Sequence, residues 1–415
     1  MNGASRRYLR ILSATSLAGA SWVTTVSASG ASARSHAVGP VRIGISLSLS
    51  GAFSAGGRAL QQGYQLWQTD INRTGGLLGR RVVLDIKSDA SRPTQVVANY
   101  RDLIANDHVA LTFGPFSSLL SLRAAQAVSA YGYALVEGAG GSPSVFRARL
   151  HNLFDVSLPV ADALMPFATW VTSLPPAQRP KTVAFVTSNN PGTEPQVTTI
   201  EPVLRHAHVR VVYRHVFSAR ATNYASLAHA VAASRPQVVV LGSLNVPTVS
   251  AFVRAFERLR FSPKVFIATG GPNQAAAFLK SVGPKNANGV MVPNAWYAGS
   301  ANSLSSTMVS QYVKRYGGTA FQVSSGVAEA FAVGQVVAQA VLATGGFNNQ
   351  KIIAFLHSGV TLQSVQGSVN FNALGQNTEP TAFTFQWQGA KLVQVNPVGD
   401  PNSVKVLYPK PAWGK

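Results

Sequence analysis

Two successive runs of alternating strand-like and helix-like segments constrain what this chain can fold into. In the first run, residues 41–45, 82–86, 109–113 and 133–136 are short apolar stretches. Between them lie helical patterns. Leu60, Tyr64, Trp67 and Ile71 share one face of a helix predicted over 57–73, and Val96, Val97, Tyr100, Leu103 and Ile104 mark a second that opens at Pro93. In the stretch Thr112-Phe113-Gly114-Pro115-Phe116-Ser117-Ser118-Leu119-Leu120-Ser121, a strand hands over to a third helix, whose first turn carries free N–H groups and hydroxyls. The pattern restarts near Lys181. Strands are expected at 182–187, 209–217, 238–241 and 265–268, with helices from Glu194, over 224–233 and over 248–259. Such alternation predicts parallel sheets covered by helices on both faces. The fold class is therefore α/β, with two doubly wound lobes. Pro159, Pro166, Pro175, Pro176 and Pro180 surround the changeover. The last third departs from the pattern: helices are expected over 304–316, 324–343 and 350–357, then strands at 368–371, 382–387 and 391–395, with Gln388-Gly389 as a hairpin turn.

A chain of 415 residues is too long for one ordinary core. Its 35 basic and 14 acidic residues give a formal charge of +21. The bases are scattered, with no run of Lys and Arg interleaved with aromatics, so no nucleic-acid partner is expected. The scarcity lies in the carboxylates, the groups whose titration unfolds proteins in acid, and we take it as a sign of an acidic habitat. There is no cysteine, which excludes disulfides, zinc–thiolate sites, a thiol nucleophile and a lipid-anchored N-terminal cysteine.

Arg6, Arg7 and Arg10, a mildly apolar stretch over 11–26 and the small residues Ala31-Ser32-Ala33 read as a signal peptide over 1–33. Ser5-Arg6-Arg7-Tyr8-Leu9 partly matches a twin-arginine signal. No later segment reads as a transmembrane helix. The expectation is a soluble monomer, periplasmic or secreted after signal cleavage and without stable membrane insertion, cofactor or metal. His206 and His208 read as part of a solvated basic turn. No Gly-x-Ser-x-Gly elbow supports a serine hydrolase.

Ile43-Gly44-Ile45 with Ser50-Gly51, the run Asp70-Ile71-Asn72-Arg73-Thr74-Gly75-Gly76-Leu77-Leu78-Gly79, Gly114-Pro115-Phe116-Ser117-Ser118, and residues 367–371 together resemble the type I periplasmic substrate-binding proteins of ABC transporters, in the branch named for leucine, isoleucine and valine. The resemblance spans about 41–395. It implies two lobes that close on a small ligand and then dock on an ABC permease in the inner membrane, with no enzymatic activity. It also implies crossings near 157–160, 293–297 and 366–370. Lobe 1 would comprise 41–158 plus 294–366, and lobe 2 159–293 plus 367–405. A periplasmic sensor for a signalling receptor would look the same.

Ligands of open α/β sheets lie beyond the carboxyl ends of the strands, which points to the turns at 48–57, 114–119 and 138–143. The resemblance implies that the Ser118 hydroxyl and the Ala139 backbone hold a ligand carboxylate, while Gly141 keeps only an N–H and Gly56 stands where an aromatic ring usually covers the ligand. The implied ligand-binding set is Ser50, Phe53, Ser117, Ser118, Ala139, Gly140, Gly141, Asn189, Asn190, Leu244 and Gly271. The acids and tyrosines that hold an amino-acid ammonium in such proteins are not visible. Glu194, Glu137 or Glu329 could substitute, and an amino acid or a related carboxylate or amide is expected as ligand.

Overall fold

The computed structural model describes residues 39–298 and 303–414, Ser303 through its backbone only. The signal peptide read over 1–33 lies outside them. The first run forms β1 (Val41–Leu47), α1 (Ser54–Arg73), β2 (Val82–Ser88), α2 (Pro93–Ala105), β3 (Leu111–Phe113), α3 (Ser118–Ser129), β4 (Leu135–Glu137), α4 (Pro143–Phe146) and β5 (Leu153–Asp155). The five strands make a parallel sheet in the order β2-β1-β3-β4-β5. Both faces are covered, which is why β1 is buried nearly throughout.

After α5 (Met165–Ser173), the second run forms β6 (Thr182–Ser188), α6 (Glu194–His206), β7 (Arg210–Phe217), α7 (Ala225–Ala233), β8 (Val238–Gly242), α8 (Val246–Arg258), β9 (Val265–Ala268), α9 (Ala275–Ala287) and β10 (Val290–Asn294). The remainder comprises α10 (Ser303–Tyr316), α11 (Ser325–Thr344), α12 (Asn349–Leu356), β11 (Leu362–Ser364), β12 (Gly367–Val369), β13 (Phe383–Gln388) and β14 (Lys391–Asn396). The second sheet has the order β14-β13-β10-β9-β8-β6-β7. Its β13 and β14 run antiparallel, joined as a hairpin through Gly389 at φ 52°.

Each sheet buries two apolar clusters, one per face. In the first sheet, Leu60 of α1, Met308 of α10, Val333 of α11 and Ile352 of α12 share one cluster, and Tyr100 of α2, Leu120 of α3 and Phe146 of α4 share the other. In the second, α7, α8 and α9 cover one face through Val231, Phe252 and Phe278, and α5 and α6 cover the other through Phe167 and Ile200. Helix α11 is long and apolar enough to cross a membrane, but most of it is buried. Its Gly334 receives the Trp67 indole so closely that a Cβ there would overlap the ring. This close approach locks α1 onto α11.

Several elements escaped the sequence reading. Helix α5, at the changeover that the prolines surround, begins with Pro166 in its first turn, where proline costs no hydrogen bond. Strand β5 is only 3 residues long, too short for periodicity. Helix α9 contains Gly283 at φ 75° followed by Pro284, which interrupt its helical pattern in the sequence.

The expected third crossing at 366–370 also differs. Residues 367–371, assigned from sequence to the second lobe, pack with the first sheet: β12 pairs with β11, and Val369 and Phe371 are buried in the first sheet's cluster. Asn377 then donates from its side chain to the Val156 carbonyl at 2.9 Å, and the Thr378 N–H bonds the Asn370 carbonyl at 2.9 Å. The chain therefore leaves the first sheet only after Thr378.

Candidate functional site

The carboxyl ends of both sheets face one cavity of about 130 Å³. From the first sheet it is walled by the turns after β1, β3 and β4, through Gly56, Phe116, Ser118, Ala139 and Gly141, and by the start of α11, through Ser325 and Glu329. From the second sheet come Gly192, Gln196, Leu244, Thr269, Asn273 and Gln274. The connecting stretches at Ser157–Val160 and Pro293–Ala295 contribute Ser157, Leu158, Asn294 and Ala295. Asn273 spans the cleft, its amide donating to the Ser325 hydroxyl at 3.3 Å.

Of the residues expected to bind ligand, Ser118, Ala139, Gly141 and Leu244 line this cavity. Ser117 turns out to be the N-cap of α3: it sits at φ 82° and its hydroxyl accepts the Leu119 N–H. Capping by Ser117 frees the next serine. The Ser118 Oγ accepts the Ser142 N–H at 3.2 Å, so its own proton remains available to a ligand in the cavity. The N–H groups of Ala139 and Gly141 have no acceptor among the described residues. One hydroxyl and two backbone N–H groups without acceptors thus lie beside the start of α3, donors of the kind that could hold an anion.

The other expected residues lie off the cavity. Ser50 is exposed, and its carbonyl accepts the Ser91 hydroxyl. Asn189 is also exposed, its Oδ1 taking the Ala219 N–H at 2.7 Å. Asn190 is turned inward to fix its own loop through the Gly192 N–H at 2.7 Å. Phe53 and Asn190 border a separate small pocket. Gly271, at φ 95°, makes the turn while its neighbour Gly270 lines the cavity. Gly140 faces away from the cavity, against the Glu137 carboxylate.

The reading missed Phe116. Its ring fills the space beside Gly56 so completely that a Cβ on that glycine would overlap it. The aromatic cover missing at Gly56 is thus supplied by the next turn. The paired signal was a glycine in one turn and a phenylalanine in another, which no local pattern connects. Trp296 and Tyr297 do not line the cavity: the Trp296 indole donates to Ser305 at 2.9 Å, and Tyr297 packs on Phe385.

Among the described residues Glu329 is the only ionisable one on the wall. Burial, helped by the charge of Asp155, pushes its carboxyl up to about 8, so it is mainly protonated at neutral pH and can donate a hydrogen bond. Of the other acids considered, Glu137 is fully buried behind the wall and Glu194 is exposed. Gln196 and Gln274 each donate to a backbone carbonyl, of Gly192 at 2.9 Å and of Leu244 at 3.0 Å. Their buried Oε1 atoms have no partner among the described residues. The second-sheet wall is thus neutral and rich in acceptors, and among the described residues no group of His, Asp and Glu is arranged to hold a metal ion.

The site is a cleft between the carboxyl ends of two α/β sheets, walled by backbone N–H groups, hydroxyls and amides. The model of the periplasmic binding protein family matches residues 40–391, and the chain belongs to that family. Among curated relatives, a Leu/Ile/Val-binding protein, BraC3, of Rhizobium johnstonii is 20% identical over 354 residues, covering 85% of this chain and 93% of its own. A Leu/Ile/Val-binding protein homolog 8 of Brucella abortus is 25% identical over 378 residues, covering 87% and 91%. Among solved structures, the branched-chain amino acid transporter substrate-binding protein LivJ of Streptococcus pneumoniae, in complex with isoleucine, superposes with a TM-score of 0.75 at 18% identity, covering 90% of this chain and 100% of its own. A solute-binding protein of an ABC transporter from R. palustris, in complex with benzoate, gives a TM-score of 0.74 at 18% identity, covering 90% and 98%. These relatives are substrate-binding proteins rather than enzymes, and the family works outside the cytoplasm.

Proposed function

We propose that this protein captures a small organic carboxylate, an amino acid or a related acid or amide, and delivers it to an ABC permease in the inner membrane. The observation that carries this reading is the wall formed by the Ser118 hydroxyl and the N–H groups of Ala139 and Gly141, all on one cavity. A carboxylate there receives charge-assisted hydrogen bonds without a cationic side chain. Phe116 and Leu244 offer its body an apolar surface, and Gln196 and Gln274 offer acceptors to N–H or O–H groups at its far end. Both an aliphatic amino acid and an aromatic acid are in keeping with this reading, as the similar solved structures hold isoleucine and benzoate.

Capture works by closure: a ligand favours the closed form only through contacts better there than in the open form. We take the lobes as 41–158 with 294–378, and 159–293 with 379–405. The protein acts as a monomer after removal of residues 1–33, with no cysteine to carry a lipid anchor. A thermal-shift screen of amino acids, amides, aliphatic acids and aromatic acids, followed by calorimetry, tests the reading. Stabilisation by one class of carboxylate is expected. Stabilisation by sugars or polyamines, with carboxylates inert, would overturn it.

A further inference from the structure

Three acids cluster around the loop that forms the anion-holding wall: Glu137 and Asp155 are buried behind it, and Glu329, partly exposed, lies on the cavity wall beside it. Each is pressed against one of its glycines. Glu329 lies beside Gly138, where a Cβ would come within 3.0 Å of the glutamate's own Cβ and carbonyl. Glu137 lies behind Gly140, where a Cβ would overlap both carboxylate oxygens. Asp155 lies behind Gly141, where a Cβ would come within 2.8 Å of Oδ2. Glu137 and Asp155 are register partners at the ends of adjacent parallel strands, so their side chains leave the sheet side by side.

Among the described residues no cation faces this cluster. Glu137 meets Ser121 of α3 and, through its field, Asp155 of β5; Asp155 accepts the Ser157 N–H at 2.8 Å; Glu329 meets Ser325 on its own helix and Asp155. The remaining titratable groups facing the cluster are Tyr64 of α1 and Tyr100 of α2. Among the described residues none of the three acids joins an ion pair. Among the described residues Glu137 Oε1 and Asp155 Oδ2 have no hydrogen-bond partner, and nor do the Oε1 atoms of Gln196 and Gln274 on the facing wall.

Three anionic carboxylates here would repel one another and any anion on the glycine loop, with little water to screen them. We propose that the cleft takes its anionic ligand together with a proton, held among Glu137, Asp155 and Glu329 in place of the cationic side chain that the site lacks. This rests on the reading of the cleft as a carboxylate site. The proton comes from solvent, and it removes one negative charge from the cluster around the glycines while the ligand charge lies in front. Burial and mutual repulsion raise all three carboxyls, Asp155 to about 6 and Glu329 to about 8, which places the loss of that proton within an accessible pH range.

The test uses the mature protein with benzoate and 3-methylbutanoate, acids that do not themselves titrate near neutrality, and with isoleucine. Calorimetry runs from about pH 6 to about pH 9 in buffers of different ionisation enthalpy, which reports the protons taken up per ligand. The bound carboxylate is expected to hold a constant affinity below about pH 7 and to weaken by about tenfold per unit above about pH 8, with about one proton taken up there. Glu329→Gln is expected to abolish most of that pH dependence; should it fold poorly, proton uptake by the unaltered protein still decides. Binding that Ser118→Ala weakens, but that is flat with pH and takes up no proton, overturns the proposal and leaves the function standing. Failure of every carboxylate to bind at any pH overturns the function reading, and the proposal with it.

Discussion

The Ser142 N–H donates to the Ser118 Oγ at 3.2 Å, which ties the turn after β3 to the turn after β4. The bond fixes the hydroxyl so that its proton points away from Ser142, and Ser118 lines the cavity. Across the cleft, a Cβ on Gly192 would sit only 3.6 Å from the same oxygen. A small residue is thus needed opposite Ser118 if a ligand is to fit between the two sheets.

Ser118→Ala removes the one side-chain donor of the anion-holding wall. It is expected to weaken binding of a carboxylate ligand by about tenfold or more. Ser117→Ala, one position earlier, instead removes the cap of α3 and is expected to cost about 1 kcal/mol of stability with a smaller change in affinity. Calorimetry and denaturation of the two variants separate the roles. Equal effects on both readouts would contradict the assignment.

Gly140→Ala forces a methyl group into the Glu137 carboxylate. The expected result is a loss of about 1–3 kcal/mol of stability, as in other overpacked cores, with weaker ligand binding because the loop must shift. In a double-mutant cycle with Glu137→Ala the two costs should be less than additive, since the shorter side chain makes room. Additive costs would show that the two residues do not touch.

Asn273→Ala deletes the hydrogen bond from the second-sheet side to Ser325 at the start of α11. This bond joins the two walls, so its loss should favour the open form. The expected effect is a severalfold loss of affinity, about 1 kcal/mol, and a larger radius of gyration of the ligand-free protein by small-angle scattering. An unchanged radius and affinity would remove Asn273 from closure.

The buried acids give a sign to the pH dependence of stability. Raised carboxyls contribute stability that is fully present below their unfolded values of 3.8 and 4.5 and is lost as pH rises through about 6 for Asp155 and about 8 for Glu329. Lys410, held by burial down to about 7, acts in the opposite direction, but only above that value. Denaturation midpoints should therefore fall between about pH 4.5 and about pH 7, and Asp155→Asn should flatten the lower part of the slope. This matches the acidic habitat suggested by the scarcity of carboxylates. A midpoint that rises toward neutrality would contradict it.

The alternation of strands and helices was legible because parallel strands buried on both faces are largely apolar, as β8 is throughout and β1 is apart from Arg42 and Ser46. The helix faces of α1 and α2 were legible through their spacing, and Tyr64 and Trp67 are core residues as that spacing requires. The site was legible only where one turn carried its own signal. Ser118 sits in such a turn, but the cap belongs to Ser117, a distinction fixed by backbone angles that composition does not encode. Phe116 over Gly56, Gln196 and Gln274 across the cleft, and the three acids around the glycine loop join segments far apart in the chain. Each looks ordinary in its own neighbourhood. Glu329 had been one of three candidate acids, and only the packing of α11 against the first sheet brings it to the wall.

The central claim is that a carboxylate lies against Ser118, Ala139 and Gly141. A crystal structure of the protein with the tightest-binding acid from the screen tests it most directly. The account predicts the ligand's carboxylate oxygens within hydrogen-bond distance of the Ser118 Oγ and the two backbone N–H groups, with its body between Phe116 and Leu244. A ligand in the same cleft whose carboxylate points to the second-sheet wall, or one bound elsewhere, would contradict it.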